Sequence, residues 1–256
     1  MSEIRTAIQA VRTAGQVLRE GFSKQHQISF KGIINIVTEM DLESERLVCE
    51  ILRRDFPNYG ILGEEGSQVH GSEEALWIID PLDGTTNYSL GYPLFGVSVA
   101  LEKRGELTLG VVYNPLLDEL FVAEKGGGAT LNGRSIQVTQ TTELGKSLLA
   151  SGFPYDAWSN LKNNSHEWNR FIKKTISLRC DGSATLDLCH VAMGRLDGYW
   201  EQDLEAWDMA AGALIVAEAG GMVSLCSGIP FSPYQRNVLA SNGHLHAAML
   251  GIINHG

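Results

Sequence analysis

The chain has 256 residues, of which 44% are hydrophobic and 20% are charged, and its formal net charge at pH 7 is −10. A chain of this size buries roughly three quarters of its unfolded surface, so it forms one domain or two closely packed halves. The negative charge, without a basic stripe, argues against a nucleic-acid or anionic-membrane partner. No apolar run could span a bilayer and the N-terminus lacks the apolar stretch of a secretion signal, so we expect a cytoplasmic protein.

The first half of the chain predicts two helices followed mainly by strands. Apolar residues recur at steps of three and four over 4–22, and a second helix follows Thr38 and runs to about Arg54. Thr38 and Asp41 resemble a capping box in which Asp replaces Glu. Asn132-Gly133 is a strong hairpin signal between the last two strands. The predicted strands are 76–79, 96–103, 106–113, 119–124, 129–131 and 134–138.

The second half predicts an alternation of strands and helices, in which Gly194 and Gly220 end helices. We therefore predict an α/β (α+β) fold, with a mainly antiparallel sheet in residues 1–143 and an alternating β/α unit in 144–256. Both belong to a single compact unit over 1–256. The predicted strands are 147–151, 176–179, 196–201, 222–225 and 238–241; the predicted helices are 160–174, 184–193, 207–219 and a terminal helix from about 244.

Cysteines and histidines give little indication of a metal site. The four cysteines form no C-x-x-C pair, so we expect buried or free thiols, and the histidines form no H-x-x-x-H pair near the carboxylates. We interpret His166, His190 and His244 as surface or core residues. The chain has no G-x-x-x-x-G-K-[ST] or G-x-G-x-x-G loop, which disfavours a nucleotide-dependent kinase or dehydrogenase.

The most informative segment is Asp80-Pro81-Leu82-Asp83-Gly84-Thr85-Thr86-Asn87-Tyr88, which follows a predicted buried strand. We expect the strand to end at Asp80. Asp83, Thr85 and Thr86 would then open a helix, since Asp and Thr are favoured at helix N-termini. Carboxylates beside free backbone N–H groups suit a divalent cation and a phosphate. Alone, such a segment is more often a solvated turn. The phosphoryl-chemistry interpretation depends on its companions, Gly63-Glu64-Glu65-Gly66 and Trp207-Asp208.

Two long motifs resemble the inositol monophosphatase family of metal-dependent, lithium-sensitive phosphatases: D-P-L-D-G-T-T-N-Y at 80–88 and W-D-M-A-A-G-A-L-I-V-A-E-A-G-G at 207–221. Gly63-Glu64-Glu65, Lys31 with Val37-Thr38 and Asp41, and Gly182-Ser183-Ala184 support it in the family's order. The resemblance covers essentially the whole chain. It implies a layered αβαβα sandwich, a homodimer and inhibition by lithium.

The resemblance also implies a ligand set for two or three Mg²⁺ ions, with Mn²⁺ as a possible substitute. Two cations about 3.5–4 Å apart can clamp a phosphoryl group between them. Glu64 and the Leu82 carbonyl would bind the first metal, Asp80 would bridge both, and Asp83 and Asp208 would bind the second. Glu65 would support Glu64. The open alternative for Asp208 is compensation of a helix dipole.

The catalytic and substrate contacts follow from the same resemblance. Asp41, hydrogen-bonded to Thr85, would help Glu64 to take the proton from the attacking water, although Asp41 could equally be a helix cap. Lys31 matches a pocket lysine but could be an ordinary surface residue. Asn35 stands where the family usually has Asp, which leaves a third metal site open. The substrate-binding set is Asp83, Gly84, Thr85, Ser183, Ala184, Glu201 and Lys31.

These residues predict a Mg²⁺-dependent phosphomonoesterase of a small polyol phosphate, with inositol monophosphate as first choice. Fructose-1,6-bisphosphatase, histidinol-phosphate phosphatase and 3′-phosphoadenosine 5′-phosphate phosphatase remain alternatives. A second substrate phosphate needs more cations, and only Lys31 and Arg179 are candidates. Asp203 beside Glu201 would tolerate a substrate amine. A non-catalytic regulatory or binding protein is the rival class, but such a protein would be expected to have lost a ligand among Glu64, Asp80, Asp83 and Asp208.

Overall fold

The computed structural model describes residues 1–24, 28–31, 35–72, 74–160 and 163–255; the side chains of 28–31, 35, 36 and 255 lie outside the description. Within these residues the α-helices are α1 (Glu3–Gly21), α2 (Glu39–Asp55), α3 (Thr85–Ser89), α4 (Ser165–Phe171), α5 (Ala184–Ala192), α6 (Ala206–Glu218) and α7 (His246–His255). The strands that precede residue 100 are β1 (Ile28–Lys31), β2 (Asn35–Thr38), β3 (Gly60–Gly63), β4 (Gln68–Val69), β5 (Ala75–Asp83) and β6 (Gly96–Lys103). The later strands are β7 (Glu106–Asn114), β8 (Glu119–Glu124), β9 (Gly128–Leu131), β10 (Arg134–Ser135), β11 (Leu148–Ser151), β12 (Ser177–Arg179), β13 (Gly198–Gln202), β14 (Met222–Ser224) and β15 (Asn237–Ser241).

Two sheets carry most of the structure. The first has eight strands in the order β10-β9-β8-β7-β6-β5-β3-β4, and only the β3–β5 pair is parallel. The second has five strands in the order β12-β11-β13-β15-β14, with β11 parallel to both neighbours and β15 antiparallel to both of its own. A separate hairpin joins β1 to β2.

The layers follow from which helix faces are apolar. Helices α1 and α2 pack on one face of the eight-stranded sheet through residues such as Val11, Leu18 and Leu52. Helices α5 and α6 are buried on nearly all sides because they lie between the two sheets. Helices α4 and α7 cover the outer face of the second sheet around Trp200 and Met249. This αβαβα sandwich confirms the predicted fold class.

Element positions also agree closely with the sequence predictions for α1, α2, β6, β8, α5 and α6. Thr38 and Asp41 form the expected capping box of α2. Gly194 and Gly220, at φ 78° and 84°, end α5 and α6 in the left-handed conformation that glycine favours.

Two predictions of local structure need correction, and two hairpins were not predicted. The strand expected to end at Asp80 continues to Asp83, and Gly84 precedes α3. The helix expected over 160–174 is only Ser165–Phe171, because Asn164 has a left-handed backbone (φ 63°) that cannot belong to a helix. The hairpins β1–β2 and β3–β4 were not predicted, since their strands are too short to give a periodic pattern.

No helix among the described residues is both long and apolar enough to cross a membrane. All four cysteines are unpaired; Cys180 is exposed and Cys49, Cys189 and Cys226 are buried.

Candidate active site

A cavity of about 540 Å³ opens where the two sheets meet, and it brings the predicted carboxylates together. Its wall on the side of the first sheet comes from Glu64 after β3 and from the segment 80–87. Its wall on the side of the second sheet comes from the segment 182–184, Glu201 and Asp208. Residues separated by more than a hundred positions in the chain therefore share one concave surface.

The first wall depends on an irregularity in β5. Asp80 pairs with Ser98 of β6, but the register shifts between Asp80 and Asp83. Pro81, which lacks an N–H, lies in the interrupted stretch, where no ladder hydrogen bond is lost. The Leu82 N–H donates instead to Asp80 Oδ1 at 3.0 Å. Ser44 of α2 donates to the Pro81 carbonyl at 2.6 Å, so the helix layer holds this bulge in place.

Gly84 makes the turn from β5 into α3 possible. Its φ is 91°, and a Cβ there would lie 3.0 Å from the Leu94 carbonyl oxygen. A side chain at this position would be strained and crowded, so the tight turn requires glycine.

Thr85 and Asp41 are hydrogen-bonded, as predicted. The Thr85 hydroxyl lies 2.8 Å from Asp41 Oδ1 and 3.0 Å from the Leu82 carbonyl. Asp41 Oδ2 accepts from the Thr38 N–H and hydroxyl, so this buried carboxylate is also the helix cap. Asp41 therefore both caps α2 and bonds to Thr85, while its catalytic role stays a prediction. Burial raises its pKa, although the hydrogen bonds oppose the rise.

Asp83 connects the two walls. Its Oδ2 accepts from the Ser183 hydroxyl at 2.5 Å, from the Thr185 N–H at 2.8 Å and from the Thr185 hydroxyl. All these donors lie at the start of α5. Asn87 adds a second connection, because its side-chain amide donates to the carbonyls of Leu94 and Asp181, each at 2.8 Å.

Glu64 is placed by a residue that the sequence analysis missed. Glu45, on α2, is buried and accepts from the N–H groups of Glu65 at 2.8 Å and Ser67 at 3.1 Å. These bonds shape the loop that follows β3 and carries Glu64. A signal was available in the sequence, because Asp41, Ser44 and Glu45 place polar side chains on the face of α2 that also carries Val48 and Leu52.

Glu201 lies at the end of β13 and accepts a hydrogen bond from the Tyr199 hydroxyl. Burial raises the pKa of Glu201 to about 7, although the Tyr199 bond opposes the rise. A Cβ at Gly152 would overlap this carboxylate, so glycine is needed opposite it.

Asp208 is the third residue of α6 and completes a capping box with Glu205, whose N–H donates to it at 2.7 Å. The helix-terminus interpretation is therefore correct in geometry, and Asp208 faces the cavity as well. Burial raises its pKa well above the usual range, and the charges of Asp83 and Glu201 contribute to the rise.

The four predicted metal ligands influence one another electrostatically. Burial raises the pKa of Asp80 well above its usual range, and the charges of Glu64, Asp83 and Asp208 raise it further. Carboxylates and the Leu82 carbonyl are hard oxygen donors, which suit Mg²⁺ or Mn²⁺. The donor set therefore fits such ions, although the four carboxylates are not yet at ligand spacing. Among the described residues, one group of three or more His, Cys, Asp or Glu side chains has all its ligand atoms within 4.8 Å of one another, namely Asp181, Asp187 and His190.

One basic residue at this cavity was not predicted from the sequence. Arg236 lines the cavity and pairs with Asp203, at 2.8 Å, and with Glu205. Arg179 is exposed and bonds to Ser177 and Leu178 rather than lining the cavity. Lys31 belongs to β1, but its side chain, like that of Asn35, lies outside the described residues. No sequence signal pointed to Arg236, which is far from every motif.

Three aromatic residues of the described chain also line the cavity, of which only Trp207 belongs to a motif found in the sequence. Phe153 and Tyr155 follow β11, and Trp207 precedes Asp208. Burial raises the pKa of Tyr155, and the charges of Glu64 and Asp208 add to the rise. The cavity therefore has a floor of carboxylates, which includes Asp80, Asp83 and Asp208, and a rim that is partly apolar.

Comparisons with known proteins agree with this arrangement. The model of the inositol monophosphatase family matches residues 1–255. Inositol-1-monophosphatase from Synechocystis is 45% identical over 95% of this chain and 85% of its own length. Nus factor SuhB from Pseudomonas aeruginosa is 40% identical over 98% of this chain and 95% of its own. The crystal structure of the extragenic suppressor protein suhB from Bartonella henselae superposes with a TM-score of 0.93 at 36% identity, covering 99% and 98% of the two chains.

Proposed function

This chain belongs to the inositol monophosphatase family, and on that premise we propose that it is a Mg²⁺-dependent phosphatase that hydrolyses inositol monophosphate. The observation that supports the proposal most directly is the cavity, because Glu64, Asp80, Asp83 and Asp208 all line it. A relative named inositol-1-monophosphatase is 45% identical over almost the whole chain. We propose further that residues 1–143 and 144–256 work as two halves of one unit, since each contributes one wall.

The metal ions would be held by the side chains of Glu64, Asp80, Asp83 and Asp208 and by the Leu82 carbonyl. Bound Mg²⁺ would supply charge stabilisation at the phosphoryl oxygens and would make water more acidic. We keep two or three ions as the proposed number, with Mn²⁺ as a possible replacement.

The chain's own residues position the substrate and hold the proton. Thr85, fixed by its bond to Asp41, would present its oxygen to the attacking water, and Glu64 would share the proton. The backbone N–H groups of Gly84 and Thr85 and the start of α5 at Ser183 and Ala184 would bind the phosphate. Glu201, at the opposite side of the cavity, would accept a hydrogen bond from a polyol hydroxyl.

A panel of phosphorylated metabolites tests the proposal. Purified protein is incubated with Mg²⁺ and inositol 1-phosphate, fructose 1,6-bisphosphate, histidinol phosphate or 3′-phosphoadenosine 5′-phosphate, and phosphate release is measured. We expect release that is fastest with inositol 1-phosphate, stops on chelation and falls with Li⁺. Chelation-insensitive release would refute the metal-dependent mechanism, and preference for another substrate would replace inositol 1-phosphate.

The second candidate is a binding or regulatory role, favoured by the relative named Nus factor SuhB. The intact carboxylate set weighs against a role without catalysis. Absence of phosphate release from the whole panel would favour this alternative.

Three further predictions remain, the first two from the family resemblance and the third from the sequence. They are a homodimer, measurable by light scattering; inhibition by lithium, measured in the same assay; and a cytoplasmic location, measured by fractionation.

A further inference from the structure

Behind the wall of the cavity lies a separate group of metal-ligating side chains, which we name the α5 cluster: Asp181, Asp187 and His190. Asp187 and His190 are three residues apart on α5, so they lie on the same helix face. Asp181 belongs to the segment that leads into the helix. One ligand atom from each lies within 4.8 Å of the other two. None of the three lines the candidate active-site cavity.

Two of the three side chains in the α5 cluster are buried, and each of the two has one polar atom without a partner, although Asp181 and Asp187 are hydrogen-bonded to each other. Asp187 is 2% exposed and His190 is 9% exposed. Asp187 Oδ1 and His190 Nε2 have no hydrogen-bond partner among the described residues. Buried polar atoms are rarely left in this state, since they lose their hydrogen bonds to water and gain none in return. Two such atoms in one cluster of ligand-type side chains indicate a missing binding partner.

The missing partner is a cation rather than an anion. No lysine or arginine in the described chain forms an ion pair with Asp181 or Asp187. Burial raises the pKa of Asp187, and the charges of Asp181 and Glu201 raise it further. The positive group that faces His190 is Arg195. Its guanidinium already makes two hydrogen bonds to Glu119, so it does not neutralise the aspartates.

We propose that Asp181, Asp187 and His190 form a binding site for a divalent transition-metal cation such as Zn²⁺, separate from the candidate active site. An imidazole with two carboxylates suits zinc, whereas Mg²⁺ prefers oxygen ligands and retains several waters. Ligand atoms around zinc lie about 3–3.5 Å apart when metal–ligand distances are about 2.0–2.2 Å. With separations of no more than 4.8 Å, the cluster would need to contract by at most about 1.5 Å. Water would complete the coordination through the partly exposed side of Asp181.

A cation at the α5 cluster would fix the segment 181–184. The Asp181 carbonyl already accepts from Asn87, and Ser183 donates to Asp83. The cation would therefore stabilise the contact between the two walls of the cavity without entering the cavity itself.

The test uses the full-length wild-type protein and Co²⁺ as a spectroscopic substitute for Zn²⁺. No histidine lines the candidate active-site cavity among the described residues, so a histidine-ligated Co²⁺ lies outside that cavity, and the variants below assign it to a particular histidine. We expect a hyperfine-shifted, exchangeable ring N–H proton in the NMR spectrum that disappears on addition of Zn²⁺. We expect His190→Gln to remove the signal and His166→Gln, which changes an exposed histidine of α4, to leave it unchanged.

Equilibrium dialysis with Zn²⁺ gives the second measurement. Mg²⁺ is included to occupy the candidate active site. In the His190→Gln and Asp187→Asn variants, the affinity of the α5 cluster for Zn²⁺ should fall at least tenfold. Because Asp187→Asn could disturb folding, His190→Gln carries the conclusion, with circular dichroism as its check. Absence of the N–H signal, or zinc binding that is unchanged in His190→Gln, would overturn the proposal and indicate that the aspartates share a proton.

Discussion

The candidate active site and the α5 cluster both bring acidic side chains together, but they differ in how far the chain itself supplies hydrogen bonds to those side chains. In the cavity, Asp80, Asp83 and Asp208 each accept a hydrogen bond from a nearby backbone N–H group. In the α5 cluster, Asp187 Oδ1 and His190 Nε2 have no donor or acceptor among the described residues. The cavity is therefore preorganised by the chain itself, whereas the cluster needs a ligand to complete it. Substitutions in the two regions should differ accordingly.

The largest effect is expected for Asp83→Asn. The substitution keeps the shape but removes one charge of the predicted ligand set and places an amide opposite the donors of Ser183 and Thr185. We expect kcat/KM for inositol 1-phosphate to fall by about 10²–10³-fold, more than the ~10–100-fold typical of groups that only orient ligands. Steady-state kinetics with Mg²⁺ measure it.

The matched control is Asp203→Asn, an exposed aspartate at the rim of the same cavity. We expect a change below about fivefold, ~1 kcal/mol. Equal losses in the two variants would contradict the distinction between floor and rim.

The next effect concerns the pH dependence of stability through Glu201. Its pKa is raised by burial from 4.5 to about 7. Below pH 4.5 both the folded and the unfolded chain carry the proton, so Glu201 contributes nothing. Between pH 4.5 and 7 the unfolded chain releases its proton first, so stability falls as pH rises. The loss reaches about 3 kcal/mol above pH 7.

Urea unfolding with a chelator, in wild type and Glu201→Gln, measures this difference across pH. Glu124→Gln, an exposed change on β8, serves as the control and should follow the wild-type curve. If Glu201→Gln retains the full wild-type pH dependence, burial is not the source of the shift.

A smaller loss is expected for Thr85→Val, which removes the hydroxyl that bonds to Asp41 but keeps the side-chain shape. We expect kcat to fall about 10–100-fold while KM changes little. Thr85→Ser retains the hydroxyl and should recover most of the rate. An equally slow Thr85→Ser would mean that the methyl group, rather than the hydrogen bond, matters.

The smallest effect is expected for His190→Gln assayed with Mg²⁺ alone. The α5 cluster lies outside the cavity, so kcat should stay within about twofold of wild type, ~0.4 kcal/mol. A loss comparable with that of Thr85→Val would remove the distinction between the two regions.

The sequence predicted more of the cavity's first wall than of its second. Asp80, Asp83 and Thr85 are adjacent in the chain, and local chemistry alone suggested a cation and a phosphate. Ser183, Glu201 and Asp208 come from three separate elements, and only the family resemblance grouped them. The shared cavity supports the grouping, although the role of each residue stays a prediction.

What the sequence could not predict were contacts between distant segments. The guanidinium of Arg236 reaches Asp203 and Glu205 through the tertiary fold, and no local pattern records this. His190 was expected to be a simple surface or core residue, because a one-dimensional search finds histidine pairs but not a histidine beside two aspartates. The bulge in β5 was missed because Asp-Pro suggested the end of the strand.

The amide of Asn87 limits how this molecule can open. It donates hydrogen bonds to one carbonyl from each half of the chain, at Leu94 and at Asp181. Separation of the two halves would break these bonds together with those that Ser183 and Thr185 donate to Asp83, so hinge-like opening of the cleft is disfavoured. We therefore expect substrate and product to enter and leave through the open side of the cavity. Their exchange rates should then depend on the loop after β11, which contributes Phe153 and Tyr155 to the cavity, rather than on separation of the two halves.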